Sequence, residues 1–110
     1  MRITITEHAI LRLHERAPEI PEYNYLKIAK LAYERPREAG TEFERYYANK
    51  KEISSYFSHQ HQESTSRVCV FGQYVYVFLE TKTNIFLVTV FPIPQKKVIS
   101  FGDFRIRFRD

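Results

Sequence analysis

The spacing of apolar residues along the chain first predicts a strand and then a helix. Residues 2–5 alternate polar and apolar side chains, which is typical of a short strand. Residues 7–16 place apolar side chains at helical spacing, with Thr6 as the N-cap and Glu7 in the first turn, where the helix dipole favours a carboxylate. A first helix is therefore expected from Glu7 to about Arg16, ended by the prolines that follow.

Two further helices are predicted before the middle of the chain. Apolar residues recur at helical spacing from Glu22 to about Arg35, and Pro36 ends that segment. A capping-box sequence, Thr-Glu-Phe-Glu, comes after the next glycine. A third helix is therefore expected to start at Thr41 and to continue towards Tyr56.

The second half of the chain has the composition and alternation of β-strands. A polar loop is predicted over residues 58–66. Strands are predicted over residues 67–71, 73–80 and 85–91, which are rich in Val, Ile, Phe and Tyr. A final alternating segment of phenylalanine, isoleucine and arginine, residues 104–109, predicts a last strand or an arm.

Helices in one block and strands in another predict an α+β domain. We expect an N-terminal strand and two or three helices packed on one face of a C-terminal antiparallel sheet. Residues 1–94 should form this domain, and residues 95–110 a basic and aromatic extension, with room for an extra strand. Both faces of the middle strand are apolar, so either both are covered or its aromatic face, formed by Tyr74, Tyr76 and Phe78, serves binding.

Composition excludes several classes of protein. The chain of 110 residues fits one domain, and its 44% hydrophobic and 27% charged residues are typical of globular proteins. No apolar run approaches the roughly 20 residues of a membrane span, and the N-terminus lacks the centre of a signal peptide, so we expect no membrane association and a cytoplasmic location. The single cysteine, Cys69, excludes an internal disulfide and a multi-cysteine zinc site. A formal net charge of +4 is compatible with RNA as a partner but does not require it.

The first predicted helix carries the most informative polar residues. His8, Arg12 and Arg16 recur every fourth residue, so they share a sector of about 100° with Glu15 on the helix surface. The positive end of the helix favours the neutral imidazole of His8, which can accept a proton. The two guanidinium groups can hold a phosphate and stabilise the charge of its transition state. The alternative is a solvated helix face in which Glu15 pairs with a neighbouring arginine.

The first helix and the last two strands carry motifs that resemble those of a known family. The motifs are Thr6-x-His8-Ala9-x-x-Arg12-x-x-Glu15-Arg16, Val70-Phe71-Gly72-x-x-Val75-Tyr76-Val77-Phe78, and Leu87-Val88-Thr89-Val90 followed by Pro92. Together they resemble uncharacterised small bacterial and phage proteins grouped with RelE/ParE-type toxins. The resemblance covers about residues 2–94. Between the motifs, residues 18–66 agree only in helical character and length.

This resemblance implies a RelE/ParE-like fold, in a group that includes metal-independent ribonucleases and gyrase poisons. It implies four catalytic residues: His8, Arg12, Arg67 and Thr89. His8 would take the proton of a 2′-hydroxyl, the arginines would stabilise the phosphorane, and Thr89 would orient it, without metal or cofactor. Thr89 is also expected to share strand parity with Ile85, Leu87 and Phe91, where its alternative role is that of an ordinary sheet residue. RNA and a cognate antitoxin are the partners that the resemblance implies.

Further basic residues are candidates for binding RNA. They are Arg16, Lys50, Lys51, Arg105 and Arg107. The two lysines follow Tyr46 and Tyr47, a mixture that suits contact with single-stranded RNA and equally an amphipathic helix. The tail arginines, Arg105, Arg107 and Arg109, would lie on one face of a strand, either as a basic strip for nucleic acid or as a charged edge that prevents aggregation. His59 and His61, with Glu63 nearby, lack a third ligand of known proximity, so we expect a polar loop there and no metal site.

The sequence leaves three functions open. The first is a small RelE/ParE-like protein that binds RNA or cleaves it without a metal ion. The second is a non-catalytic phage or mobile-element protein that binds a host or viral protein. The third is a toxin-type fold without an active site.

Overall fold

The computed structural model describes residues 2–37, 40–48, 65–93, 98–101 and 104–107, and it confirms an α+β chain. In these residues the elements are β1 (Arg2–Ile5), α1 (Glu7–Arg16), a 3-10 turn (Glu22–Asn24), α2 (Tyr25–Glu34), α3 (Thr41–Ala48), β2 (Thr65–Phe71), β3 (Tyr74–Glu80), β4 (Asn84–Pro92), β5 (Val98–Phe101) and β6 (Phe104–Arg107). Among them, no helix has the length and apolar character that crossing a membrane requires.

Four of the strands form one mixed sheet in the order β1-β4-β3-β2. The antiparallel meander of β2, β3 and β4 is the one that the sequence predicts. β1 joins its edge parallel to β4, with Arg2 opposite Asn84 and Ile5 opposite Leu87. The pairing of the N-terminal strand with the last strand of the meander makes the sheet mixed. β5 and β6 form a separate antiparallel ribbon, so the extra strand expected in residues 95–110 is present.

The predicted cap of α1 is confirmed and also fastens the helix to the sheet. The backbone N–H of Ala9 donates to Thr6 Oγ1 at 3.1 Å, which satisfies one of the free amides of the first turn. The same hydroxyl donates to the carbonyl of Leu87 at 2.9 Å, and the backbone N–H of Thr6 reaches that carbonyl at 3.1 Å. Thr6 therefore fixes where α1 begins along β4.

The helices cover both faces of the sheet, and not one face as expected. α1 and α2 pack on the aromatic face, in a cluster of Ala9, Leu13, Tyr25, Ala29, Ala32, Cys69, Tyr76, Phe78, Ile85, Leu87 and Val90 among others. On the opposite face α3 packs with Phe43 and Tyr47 against Val68, Val70, Val75, Val77, Leu79 and Val88. Because Tyr76 and Phe78 are buried under helices, the aromatic face is part of the core and offers no binding surface.

A β-bulge in β4 reverses the predicted parity of Thr89. Val77 pairs with Thr89, but Phe78 pairs with Leu87, so Val88 is the extra residue. Cross-strand partners share a face, and Val77 belongs to the α3 side of the sheet. Thr89 therefore lies on the α3 side with Phe91, opposite to Ile85 and Leu87, so the expectation of common parity was wrong for Ile85 and Leu87 and right for Phe91.

Element boundaries differ from the predictions in two places. The second helix opens with the 3-10 turn, because Pro21 precedes it and the N–H of Asn24 donates to the Pro21 carbonyl at 2.9 Å. β2 begins at Thr65, so the last two residues of the predicted loop belong to a strand. The predicted extension of α3 towards Tyr56, and the loop histidines, lie outside the described residues.

Alkaline conditions are expected to destabilise the fold through Cys69. Burial raises the pKa of this thiol from its ordinary 9.0 to about 11. The neutral thiol is therefore favoured in the folded state, and this contribution is complete below pH 9 and disappears as the pH rises through 11. A difference of two pKa units corresponds to about 2.7 kcal/mol. Urea unfolding at pH 8 and at pH 11 should show the loss of stability.

Cys69→Ala provides the control for this prediction. Burial also raises the pKa of Tyr47 to about 12, so the variant should keep a tyrosine-dependent decline at higher pH. We expect the decline between pH 9 and 11 to be smaller in Cys69→Ala than in the parent protein. An equal decline in both proteins would show that the thiol does not contribute.

Candidate functional site

α1 lies along the part of β4 that β1 leaves uncovered. β1 pairs with β4 only as far as Leu87. Beyond that point Thr6 is bonded to the Leu87 carbonyl, and Arg16 Nη1 donates to the carbonyl of Val90 at 2.8 Å. The two ends of α1 are thus both tied to β4, one near its middle and one near its end. We call this contact the α1–β4 border.

The predicted catalytic residues of α1 lie on this border. His8 and Arg12 are on the same helical stripe as Arg16, eight and four residues earlier, and they fall between the two attachment points. β4 runs there from Leu87 to Val90 and includes Thr89. The structure thus places the polar stripe of the helix beside this stretch of β4, but the side chain of Thr89 lies on the α3 side of the sheet and not on the side that α1 covers.

Thr89 differs from the other border residues in its accessibility. Its side chain is completely buried, whereas His8, Arg12 and Arg16 are partly exposed. A buried hydroxyl does not reach a bound phosphate directly. Any effect of Thr89 on a ligand therefore passes through the residues that surround it.

An aromatic cluster continues the border onto α3. The guanidinium carbon of Arg16 lies 4.6 Å from the centroid of the Phe91 ring, in cation–π geometry. Phe91 in turn packs on Tyr47 at 5.2 Å, and Tyr47 contacts Tyr46 at 5.0 Å. Phe91 and Tyr46 are only partly buried, so guanidinium and aromatic surface are adjacent at this end of the border.

Glu15 modifies the charge of the border. Its Oε2 accepts a bond from Arg12 Nη1 at 2.8 Å, which is the pairing that the sequence offered as an alternative. The carboxylate is largely exposed and the arginine about one quarter exposed. A guanidinium has five N–H donors, so an arginine held in this way can still donate to a phosphate. The ion pair holds Arg12 in a defined orientation and also reduces the net positive charge.

Arg67 is not part of the border. It lies in β2, opposite Phe78, and so on the α1–α2 side of the sheet and at its other edge. Its guanidinium carbon lies 4.5 Å from the centroid of the Tyr33 ring, and its Nη1 is 4.0 Å from Glu80 Oε2. The hydroxyl of Tyr33 donates to the same carboxylate. The sequence did not predict this Arg–Tyr–Glu cluster, because its members come from α2, β2 and β3.

Burial and the neighbouring Glu80 both raise the pKa of the Tyr33 phenol, and burial is the larger cause. The phenol therefore stays neutral and a donor at neutral pH, which keeps the cluster bonded. The cluster of Tyr33, Arg67 and Glu80 therefore joins α2 to the edge of the sheet.

The remaining candidates for binding RNA are placed only in part. Lys50 and Lys51 lie outside the described residues. Arg105 and Arg107 occupy alternate positions of β6, opposite Ser100 and Val98. β6 lies against α3.

Comparison with known proteins adds no identification. No protein-family model, curated protein or solved structure matches this chain.

Proposed function

We propose that the protein binds single-stranded RNA at the α1–β4 border and cleaves it without a metal ion, as a RelE/ParE-like toxin-type protein. One observation carries this proposal. The stripe of His8, Arg12 and Arg16 is laid along β4 and anchored at both ends, so that an imidazole and two guanidinium groups line one border. The resemblance to toxin-type proteins supports the proposal, because its helix motif supplies these residues. A cognate antitoxin belongs to the same proposal.

The chemistry that fits these groups is a transesterification. The imidazole of His8 accepts the proton of a ribose 2′-hydroxyl, and the 2′-oxygen attacks the adjacent phosphorus. The bond to the 5′-oxygen breaks, that oxygen takes a proton from solvent, and a 2′,3′-cyclic phosphate remains. Arg12 stabilises the additional negative charge of the phosphorane.

The other three candidate residues have no direct part in the proton transfer or in the stabilisation of the phosphorane. Arg16 donates to Val90 and stacks on Phe91, so it supports the border and offers positive charge at its aromatic end. Thr89 is buried on the α3 side of the sheet, so in this scheme it acts only through the residues packed around it. Arg67 lies at the other edge of the sheet and has no part in the reaction.

The salt dependence of binding tests the RNA partner. Each phosphate contact to a single strand contributes a slope of about −0.7 to log K against log salt. We expect Arg12→Gln to weaken binding of a single-stranded oligoribonucleotide and to reduce the slope by about one such contact. The matched control is Lys82→Gln, which neutralises an exposed cation at the β3–β4 turn and should leave affinity nearly unchanged.

Incubation with the same RNA tests cleavage. Cleavage should persist in EDTA and should stop in His8→Ala, while His8→Ala retains binding. Intact RNA together with binding would restrict the function to RNA binding. Intact RNA without salt-dependent binding would contradict the whole proposal and leave a protein partner as the favoured function.

A further inference from the structure

The outward side of α1 carries an apolar residue between two carboxylates. Glu7, Leu11 and Glu15 are spaced four residues apart on the side of the helix opposite to the buried Ala9 and Leu13. All three are exposed, and Leu11 exposes 58% of its surface. This acidic stripe has a leucine at its centre.

The outward side of α2 and its preceding turn has the opposite charge. Tyr23 is 85% exposed and Leu26 is 44% exposed, and both lie beside the exposed Lys27 and Lys30. Among the residues that the structure describes, no carboxylate lies within 4.0 Å of either lysine. The exposed Glu34 lies one helical turn beyond Lys30 on the same side of α2. This surface, which we call the basic stripe, therefore combines two large apolar side chains with two lysines and one carboxylate and keeps a net positive charge.

The two stripes are neighbours in one helical layer. His14 near the end of α1 has its Nε2 3.6 Å from Glu22 Oε2, and its ring centroid lies 5.7 Å from that of Tyr25. The turn that carries Tyr23 is further held by the bond from Asn24 to Pro21. Tyr23 is thus displayed from an ordered element, which lowers the entropy lost when it binds.

We propose that this layer is a homodimer interface, in which α1 of one copy packs on α2 of a second copy. In a two-fold dimer each contact occurs twice, so the acidic stripe of each copy meets the basic stripe of the other. Leu11 then contacts Tyr23 and Leu26 across the interface, and the carboxylates face the lysines at its rim. The proposal does not depend on the RNA function.

A second copy fits this surface better than other partners. A polyanion would meet the lysines but would be repelled by Glu7, Glu15 and Glu22 in the same layer. A foreign acidic protein would leave the acidic stripe of α1 unmatched. Only a partner that carries both stripes matches both, and this chain is such a partner. His8 and Arg12 lie about 60° and 100° around the helix from Leu11, and Glu15 of the acidic stripe is bonded to Arg12, so the dimer interface adjoins the α1–β4 border.

Charge reversal with restoration tests the interface. Sedimentation equilibrium of the full chain, from micromolar to millimolar protein, should show a dimer. Lys27→Glu/Lys30→Glu should raise the dissociation constant about tenfold or more, and Glu7→Lys should raise it less. The triple variant with all three changes should recover part of the lost affinity, because the lysine introduced on α1 meets the carboxylates introduced on α2 while Glu15 keeps its charge. Tyr23→Ala/Leu26→Ala should also weaken the dimer about tenfold or more.

Matched charge changes elsewhere provide the control. Glu42→Lys on α3 and Lys82→Glu at the β3–β4 turn alter exposed charges outside the layer and should leave dimerisation unchanged. Circular dichroism of each variant verifies that it is folded. A protein that stays monomeric at every concentration, or a dimer that responds equally to the control and stripe variants, would overturn the proposal.

Discussion

Leu13→Ala is expected to lower the free energy of unfolding by about 2–5 kcal/mol, far more than changes at its polar neighbours. Leu13 is almost completely buried between α1 and the sheet, so its truncation leaves a cavity in the cluster that holds the helix in place. His8→Ala and Arg12→Ala should each cost about 1 kcal/mol or less, because both residues are partly exposed. Urea unfolding at neutral pH measures all three variants.

The same three variants separate a structural role of the border from a functional one. We expect Leu13→Ala to retain RNA binding at temperatures where it is folded, and the two polar variants to lose function while remaining stable. If His8→Ala and Arg12→Ala unfold as easily as Leu13→Ala, these residues stabilise the contact between α1 and β4. The proposed active site would then have no support from this helix.

Phe43→Ala is expected to cost about 3–5 kcal/mol. Phe43 lies on α3, is 1% exposed, and packs with Tyr47 at 4.8 Å over the second face of the sheet. The valines beneath it would otherwise be exposed to water, since α1 and α2 cover only the other face. Thermal or urea unfolding of the variant measures the loss.

Leu11→Ala is the matched control for this substitution. Leu11 is also a large apolar residue on a short helix, but it is exposed. Its truncation should change the stability of the monomer by about 0.5 kcal/mol or less. If Phe43→Ala were equally harmless, α3 would not be a structural part of the core, and the two-sided arrangement of helices would be wrong.

The border illustrates how one helix can serve structure and chemistry. The exposed edge of a sheet presents free N–H and C=O groups, and proteins cover such edges. Here α1 supplies the cover through Thr6 and Arg16, whose donors reach carbonyls of β4. The polar stripe that faces this edge is therefore held in position by the fold, and this is the arrangement that a preorganised site requires.

Local elements of this protein are determined by the sequence alone. The capped helix from Glu7 to Arg16 and the alternating strands of the meander follow from short-range physics: hydrogen-bond caps, helical spacing and the two-residue period of a strand. Because these signals lie within a few residues of one another, they do not require knowledge of the rest of the chain.

Only the tertiary structure decides which polar residues meet. The parity of Thr89 depends on a bulge at Val88, and no local pattern in the valine-rich strand marks it. The separation of Arg67 from the α1–β4 border depends on strand order, which is set by packing between distant segments.

For α3 too, the sequence determines where the helix begins, and the tertiary structure determines where it packs. Its start at Thr41 follows from a capping sequence, but its position on the second face follows from the need to cover Val75 and Val77, which come later in the chain. Burial of apolar surface is non-directional. The sequence alone therefore indicates that these valines must be covered, but it does not indicate which helix covers them. The helices, strands and candidate residues are local properties of the chain, whereas the site that they form is a property of the packed sheet.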